Sequence, residues 1–244
     1  MINRVAMKSR DFISLRNTWM QNNILHINIH SHHKPRIAGE CCIRNAYTEL
    51  KPAAINKTTY PISIGLHPWH LSRLSAGSCR AYLARCAPLK MVYAIGETGI
   101  DLRIATPVSL QQHYFEIHLQ MAEEAGKPLI IHAVRSFNLF TPYLKKTGIP
   151  FIFHQFSGNE QEAAMLMKSA AYFSFGKNLF TPKGIEVFGK IPPERLFLET
   201  DDAAHLHIGD VYRKAAEIRK IPIEALREQL HLNYKQVFNV PLIC

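Results

Sequence analysis

The sequence lacks the features that mark membrane, secreted and repeat proteins. Among its 244 residues no apolar run reaches membrane-spanning length, and no internal repeat or low-complexity tract divides the chain. The five cysteines are odd in number and form no C-x-x-C pair, which indicates neither a disulfide framework nor a zinc knuckle. We therefore expect a soluble protein without membrane association, in a reducing, cytoplasmic location.

Acidic residues are also scarce, since 19 Asp and Glu stand against 29 Lys and Arg and leave a formal net charge of +10 at pH 7. Residues 1–20 hold four of the basic residues and one acidic residue, and they lack the continuous apolar core of a secretory signal. We interpret residues 1–21 as an extension outside a single domain at 22–244. The remaining positive charge favours a polyanionic substrate or partner, and a merely basic surface is the alternative.

Short runs rich in β-forming residues alternate with amphipathic segments along the chain. The eight runs are 24–30, 40–46, 61–67, 92–98, 128–134, 151–156, 171–176 and 195–200. Their apolar residues lie on both faces, which is typical of parallel strands covered by helices. Helices are expected at 75–87, 107–125, 136–146, 159–169, 181–190, 210–219 and 223–238. The pattern predicts an α/β fold with a single (β/α)8 TIM-like barrel, and a doubly wound open sheet is the alternative.

The first run, ILHINIH, continues into a cluster of histidines. Alternation puts the side chains of this stretch on two faces: Ile27 and Ile29 on one, and His26, Asn28, His30 and His32 on the other. A strand with a polar edge explains the pattern without any function. The alternative is that His30 and His32 are two metal ligands that point the same way, because neutral imidazole is the commonest metal-binding side chain.

Side chains that can bind metal recur where the predicted strands end. They are His30, His32, Glu97, His132, His154 and Asp201. The C-terminal ends of the strands of a barrel meet at one rim, so we expect these six side chains to lie together. Each alone has an ordinary explanation, such as a core histidine bonded to the backbone or an Asp that caps a helix. Burying all of them without a partner would be costly, whereas metal ions satisfy them together.

Six ligands exceed the three protein ligands and one water of a single catalytic zinc, and this favours a two-metal site bridged by Glu97. Two ions about 3.5–4 Å apart polarise a phosphoryl or carbonyl oxygen and lower the pKa of a shared water towards about 7. Asp201 can accept the proton of that water as general base. Mixed His and carboxylate ligands suit Zn, Mn, Co or Fe and do not exclude Mg. The predicted chemistry is hydrolysis.

Further residues near the same rim are candidates for substrate binding. His67 ends the third predicted strand, and Arg135 and Lys177 follow the fifth and the seventh, where cations can hold phosphate oxygens. Trp69 and Phe156 can stack an unpaired base. The ordinary alternatives are a loop histidine, solvated surface charges and packing aromatics.

Six segments of the chain resemble the TatD family of metal-dependent deoxyribonucleases, which belongs to the amidohydrolase superfamily of β/α barrels. The segments are INIHSH, SIGLHPWH, AIGETGIDLR, PLIIHAVRS, FIFHQFSG and LFLETDD, and the resemblance covers residues 24–240. It implies a 3′–5′ exonuclease or deoxyribonuclease that cleaves phosphodiester bonds with a metal-activated water. It also implies that the family's metal ligands correspond to the six residues identified above.

The chain departs from the family pattern at several positions. Asn28 stands where the family usually has an Asp, so an outer carboxylate is expected to be missing. Only nine residues separate the first two predicted strands, so the helix that usually joins them has no room and the barrel wall must be shortened there. Arg135 lies one residue further from His132 than is usual, and Asp202-Ala203 replaces Ser-Pro. We expect catalysis to be retained and the substrate pocket to differ.

Two other functions remain open from the sequence. The same metal site can polarise a carbonyl, which would make the protein a deacylase or amidohydrolase acting on aminoacyl-tRNA or on a small ester or amide. A metal-loaded binding protein without turnover is the second alternative, although a structural site has no need of the predicted proton acceptor Asp201. The main prediction is a hydrolase whose substrate is nucleic acid and which needs no obligate protein partner.

Overall fold

A barrel of parallel strands forms the body of the protein in the computed structural model, which describes residues 26–243. The strands are β1 (His26–Ser31), β2 (Glu40–Asn45), β3 (Ile62–Ile64), β4 (Val92–Asp101), β5 (Leu129–Val134), β6 (Phe151–Phe153), β7 (Ala171–Phe175) and β8 (Leu196–Leu198). Each strand pairs with the next along the chain, and a parallel bridge between Ser31 and Asp201 joins β1 to the segment after β8. The predicted (β/α)8 barrel is confirmed, and the predicted extension at 1–21 lies outside the described residues.

Helices connect the strands and cover the outside of the barrel. They are α1 (Pro52–Ile55), α2 (Ala76–Cys86), α3 (Val108–Ala125), α4 (Thr141–Leu144), α5 (Glu160–Leu166), α6 (Pro182–Lys190), α7 (Ile208–Arg219) and α8 (Ile223–Phe238). The segment predicted as a helix at 136–146 is instead a 3-10 turn at Phe137–Phe140 followed by α4. The short helix α1 is not among the helices expected from the sequence.

The strands are apolar on both faces because each face packs against a different layer. Ile29, Ile130 and Ile152 belong to a cluster inside the barrel. Phe153 and Phe173 belong to the larger cluster between the strands and the helices. This two-layer core explains why the strands read as continuous apolar runs, and it leaves the strand ends as the place for polar chemistry.

The connection between β1 and β2 is short, as predicted. Residues 32–39 contain no helix, and Arg36 Nη1 donates to Ala204 O at 2.6 Å, which ties this loop to the segment after β8. The register of β1 against β2 shifts between Asn28 and Ser31, so alternation does not hold along the whole strand. The prediction that His26 shares a face with His30 is wrong, because His26 packs against Tyr212 of α7.

Asn28, where the family usually has an acidic residue, is bonded within the barrel wall. Its Nδ2 donates to Glu40 Oε1 at 2.7 Å and to Thr200 Oγ1 at 2.8 Å. The amide therefore joins β1 to β2 and to the segment after β8, and Glu40 supplies a buried carboxylate one strand away.

The cysteines only partly follow the expected pattern. Cys42, Cys79 and Cys86 are buried free thiols, whereas Cys41 is disulfide-bonded. The cytoplasmic location therefore stays a prediction. None of the helices described between residues 26 and 243 has the length and hydropathy needed to cross a membrane.

A buried histidine fixes the loop that follows β3. His118 Nε2 accepts the Leu66 N–H at 2.8 Å, and its Nδ1 donates to Tyr114 O at 2.7 Å. Burial lowers the pKa of His118 from 6.5 to about 4, so the folded protein holds it neutral. Protonation favours the unfolded chain, and the free energy of unfolding should fall by on the order of 3 kcal/mol as the pH drops from about 6.5 to about 4.

Urea unfolding of chelator-treated protein between pH 7 and pH 4 measures this loss. His118→Gln keeps an acceptor for the Leu66 N–H and should remove that part of the acid sensitivity. His113→Gln, at an exposed position of the same helix, is the matched control and should behave like the wild type. If the free energy of unfolding of His118→Gln fell with pH as much as that of the wild type, His118 would not be the cause of this loss.

Candidate metal centre

Glu97 of β4 lies at the centre of a cluster of histidines at the C-terminal rim of the barrel. Its Oε1 is 2.8 Å from His154 Nε2 and 3.0 Å from His132 Nδ1. Its Oε2 is 3.6 Å from His30 Nε2 and 3.7 Å from His32 Nε2. The carboxylate is buried, and the ends of β1, β5 and β6 bring the imidazoles to it.

Asp201 completes the cluster from the segment after β8. Its Oδ1 is 3.3 Å from His32 Nε2 and 3.6 Å from His30 Nε2. Its N–H donates to His30 O at 3.1 Å, which fixes the residue against β1. Asp201 has a left-handed φ of 52°, a conformation that Asp and Asn adopt more readily than most residues. All six residues predicted as ligands thus lie together, and their role as ligands stays a prediction.

The donor set of this cluster fits divalent cations. Both ring nitrogens of His30 and Nε2 of His32 are buried without a hydrogen-bond partner within residues 26–243. Three sets have ligand atoms within 4.8 Å of one another: His30 with His154 and Asp201, His30 with His32 and Glu97, and Glu97 with His67 and His132. Since Glu97 belongs to two of these sets, one carboxylate is placed to serve two neighbouring ions.

The closeness of carboxylates and imidazoles shifts the pKa values of both. Burial alone would raise the pKa of Glu97, but the charge of His154 and hydrogen bonds from His132 and His154 hold it well below its usual value. Burial would lower the pKa of His154, but the charge of Glu97 and the hydrogen bond to Glu199 raise it well above its usual value. A cation that binds to these rings must therefore displace protons.

Two carboxylates that the sequence analysis missed hold the outer nitrogens of these rings. Asp101 Oδ2 is 3.2 Å from His132 Nε2, and Glu199 Oε1 is 3.4 Å from His154 Nδ1. Such contacts fix the orientation of a ligand ring and raise its basicity. Asp101 is the last residue of β4 and Glu199 directly follows β8, so the same strand-end rule could have identified them.

Asn45 and Tyr47, at the end of β2, were also missed. Asn45 Nδ2 donates to Glu97 Oε2 at 3.0 Å, and Asn45 Oδ1 accepts the Tyr47 N–H at 3.2 Å. This Asx turn holds Tyr47 at a left-handed φ of 49° and places its hydroxyl 3.0 Å from His32 Nδ1. Their position at a strand end was the available signal, although neither residue type is a usual metal ligand.

Tyr47→Phe should keep the fold and weaken metal binding. The substitution removes the oxygen that orients His32, and loss of such a contact typically lowers metal affinity by about 10- to 100-fold. Competition with a chromogenic chelator measures the change. Tyr143→Phe, which removes a hydroxyl bonded to the exposed Glu116, is the matched control and should not alter affinity. Equal affinities in Tyr47→Phe and wild type would show that the hydroxyl does not support the site.

His67 acts as a hydrogen-bond donor to the central carboxylate. Its Nδ1 accepts the Trp69 N–H at 3.1 Å, so its proton lies on Nε2, which is 3.1 Å from Glu97 Oε1. Burial lowers the pKa of His67 and keeps the ring neutral. His67 is also close enough to Glu97 and His132 for metal ligation, and its role as a substrate contact stays a prediction.

Of the two predicted phosphate-binding cations, one lies at the cavity. Lys177 Nζ is 2.8 Å from Asp202 Oδ1 and 3.5 Å from Asp201 Oδ2. Burial would lower the pKa of Lys177, but its contacts with Asp202 and Asp201 raise it, so the group is a cation at neutral pH. Arg135 is exposed and does not line the cavity.

The cluster opens into a cavity of about 480 Å³. Its lining includes Tyr47, His67, Trp69, Gln155, Lys177 and Asp202. Trp69 is 61% exposed and belongs to this lining. Phe156 is buried and packs against Phe137 and Phe173, so the prediction that it stacks a base is wrong.

Comparison with known proteins gives a consistent match. The family model described as TatD related DNase matches residues 41–239. The uncharacterized metal-dependent hydrolase YabD of Bacillus subtilis is 32% identical over 148 residues, which are 57% of this chain and 57% of that protein. The 3'-5' ssDNA/RNA exonuclease TatD of Pantoea ananatis is 35% identical over 146 residues, which are 56% of this chain and 55% of that protein. The matched segment thus spans little more than half of each relative.

A solved structure extends the match in three dimensions. The crystal structure of YJJV, a TATD homolog from Escherichia coli K12, superposes with a TM-score of 0.77 at 24% sequence identity. The superposition covers 88% of this chain and 98% of that one. At this identity the likeness concerns the fold, and it agrees with the barrel described above.

Proposed function

The chain belongs to the family of TatD-related DNases, and from this premise we propose that it is a divalent-metal-dependent hydrolase that cleaves phosphodiester bonds at the 3′ end of single-stranded nucleic acid. The observation that carries the proposal is the arrangement of four imidazoles and Asp201 around the buried carboxylate of Glu97. The activity named for the Pantoea relative supports the choice of substrate.

The proposed ligands divide into two sets that share Glu97. His30, His32 and Asp201 lie on the side of Oε2, and His132 and His154 on the side of Oε1. When bound, two divalent ions would polarise the phosphoryl group and acidify the attacking water. Asp101 and Glu199 would keep the rings of His132 and His154 in the orientation that ligation needs.

Asp201 is the proposed proton acceptor. Burial alone would raise its pKa, but the neighbouring His30 and the charge of His154 hold it well below its usual value, so Asp201 is ionised at neutral pH. Its carboxylate faces the cavity beside His30 and His32 and can take a proton from the attacking water.

Lys177 and His67 are the proposed contacts of the phosphate. Lys177 and His67 line the same cavity. The Lys177 ammonium can donate to a nonbridging oxygen, and the His67 Nε2–H can do so when it exchanges its contact with Glu97 Oε1 for one with the phosphate. The cavity volume of about 480 Å³ suits the end of a single strand better than a stacked duplex. Arg135 remains a candidate only for phosphates further along the strand, because it lies outside the cavity.

Incubation of metal-loaded protein with 5′-labelled single-stranded DNA, RNA, duplex DNA and charged tRNA tests the proposal. We expect single strands to be shortened stepwise from the 3′ end, chelator to abolish the reaction, and substrate affinity to fall as salt increases. Release of the amino acid from charged tRNA without shortening would instead favour a deacylase. The absence of turnover on every substrate would favour a metal-loaded binding protein.

A further inference from the structure

A second cavity, of about 600 Å³, lies next to the candidate metal centre. Its lining includes Trp69, Leu74, Ser75, Thr106, Leu110 and Tyr114. Trp69 lines both cavities and therefore forms a wall between them. A molecule that occupies the metal centre can reach the second cavity by passing over this one side chain.

The indole of Trp69 is exposed but held in place. Its Nε1–H donates to Asp101 Oδ2 at 2.8 Å, and the same oxygen is 3.2 Å from His132 Nε2. One carboxylate thus fixes the position of the indole relative to the candidate metal centre. An indole that is 61% exposed presents apolar surface to solvent beside the site of chemistry, and such surface often marks a binding site.

Tyr114 and Leu110 add apolar surface to the lining of the second cavity. Tyr114 is buried, and its hydroxyl donates to Leu74 O at 2.6 Å, which ties α3 to the loop before α2. Leu110, one turn before Tyr114, is 42% exposed. Ser75 and Thr106 belong to the same lining, and the Ser75 Oγ caps α2 by accepting the Ser78 N–H at 3.2 Å. A cavity lined by aromatic and aliphatic side chains together with Ser and Thr residues suits an aromatic heterocycle with polar edges.

We propose that the second cavity is a subsite for an unpaired nucleobase of the strand under cleavage, stacked on Trp69. The inference rests on the proposed function, since the phosphate of that strand is taken to lie at the metal centre. A nucleic acid strand supplies both parts that the surface can hold: an anionic backbone beside Lys177 and His67, and a planar base on the far side of Trp69. Stacking on an aromatic side chain accepts any base, so the subsite selects single-stranded substrate without selecting sequence.

Binding can be followed through the fluorescence of Trp69. The chain has two tryptophans, Trp19 and Trp69, so a Trp19→Phe background leaves the indole of interest as the reporter. The probe is an octathymidylate with phosphorothioate linkages, which slow cleavage. We expect the strand to quench or shift the Trp69 emission on binding to metal-loaded protein, and the intact oligonucleotide to be bound with a measurable Kd.

A second series of probes locates the stacked base. One abasic nucleotide is moved along the octathymidylate a position at a time, and binding is measured by anisotropy of a 5′ label. At one position near the 3′ end, loss of the base should weaken binding to wild-type protein by about 10- to 100-fold. We call this loss of affinity on removal of one base the abasic penalty. In Trp69→Ala the intact strand should bind more weakly by a similar factor, and the abasic penalty at that position should disappear.

Two further variants separate stacking from structure. Trp69→Phe keeps an aromatic face but removes the bond to Asp101, so it should retain most of the abasic penalty. Leu110→Glu places a carboxylate on the cavity wall and should weaken binding of the intact strand. Leu232→Glu, at a similarly exposed position of α8 outside both cavities, is the matched control and should bind like wild type.

The outcomes distinguish the subsite from the proposed function. If wild-type protein binds and shortens the strand, but the abasic penalty in Trp69→Ala equals that of wild type at every position, the subsite is wrong and the function stands. If wild-type protein neither binds nor cleaves single strands, both the function and the subsite are wrong. A penalty at one position that vanishes in Trp69→Ala and persists in Trp69→Phe supports the subsite.

Discussion

Asp201→Asn should reduce turnover on single-stranded DNA by at least about 10²–10⁴-fold, because that is the usual contribution of a general base and the loss of a ligand charge adds to it. Asn has nearly the same shape and also tolerates the left-handed φ of 52° that this position requires. The backbone bonds of residue 201 to β1 remain available. The variant should therefore fold normally and retain much of its metal while the chemical step fails.

Single-turnover kinetics at saturating metal, together with a thermal unfolding curve, measure both parts of this prediction. Asp210→Asn, which removes a carboxylate from the exposed first turn of α7, is the matched control and should keep full turnover. Turnover equal to wild type in Asp201→Asn at saturating metal would contradict the proposed proton transfer.

Glu97→Gln should remove most of the bound metal as well as most of the turnover. The carboxylate lies between 2.8 and 3.7 Å from His30, His32, His132 and His154, so both proposed metal positions depend on its charge. A neutral amide of equal size offers one oxygen in place of two. We expect the metal content after dialysis to fall from about two equivalents per chain to one or fewer, and turnover to fall at least as far as in Asp201→Asn.

Elemental analysis of protein prepared without chelator measures the metal content. Glu123→Gln, at an exposed position of α3, is the matched control and should keep the wild-type stoichiometry. Retention of two equivalents by Glu97→Gln would exclude Glu97 as the shared ligand, and a single equivalent in wild-type protein would contradict the two-metal assignment.

The barrel and the central cluster could be predicted from the sequence because they follow from short patterns and one topological rule. Apolar runs such as FIF at β6 identify strands, and parallel strands in a barrel end at the same rim. The His and carboxylate residues at those ends had to meet, whatever the details of the loops. The same rule, applied to every polar residue at a strand end, would have included Asp101 and Glu199.

The remaining parts depend on geometry that no local pattern encodes. Tyr47 reaches His32 because of an Asx turn after β2, and the rotation of such a turn cannot be derived from composition. The shift of register within β1 separated His26 from His30, although simple alternation put them on one face. Phe156 and Trp69 are both aromatic residues near the rim, and only the packing of Phe137 and Phe173 shows that Phe156 belongs to the core.

Addition of Mn²⁺ to chelator-treated protein, with 3′ shortening of a 5′-labelled single strand measured at each step, shows how turnover depends on bound metal. We expect negligible turnover without metal and a plateau when about two equivalents per chain are bound. Undiminished shortening by the chelator-treated protein would contradict a metal-dependent hydrolase centred on Glu97.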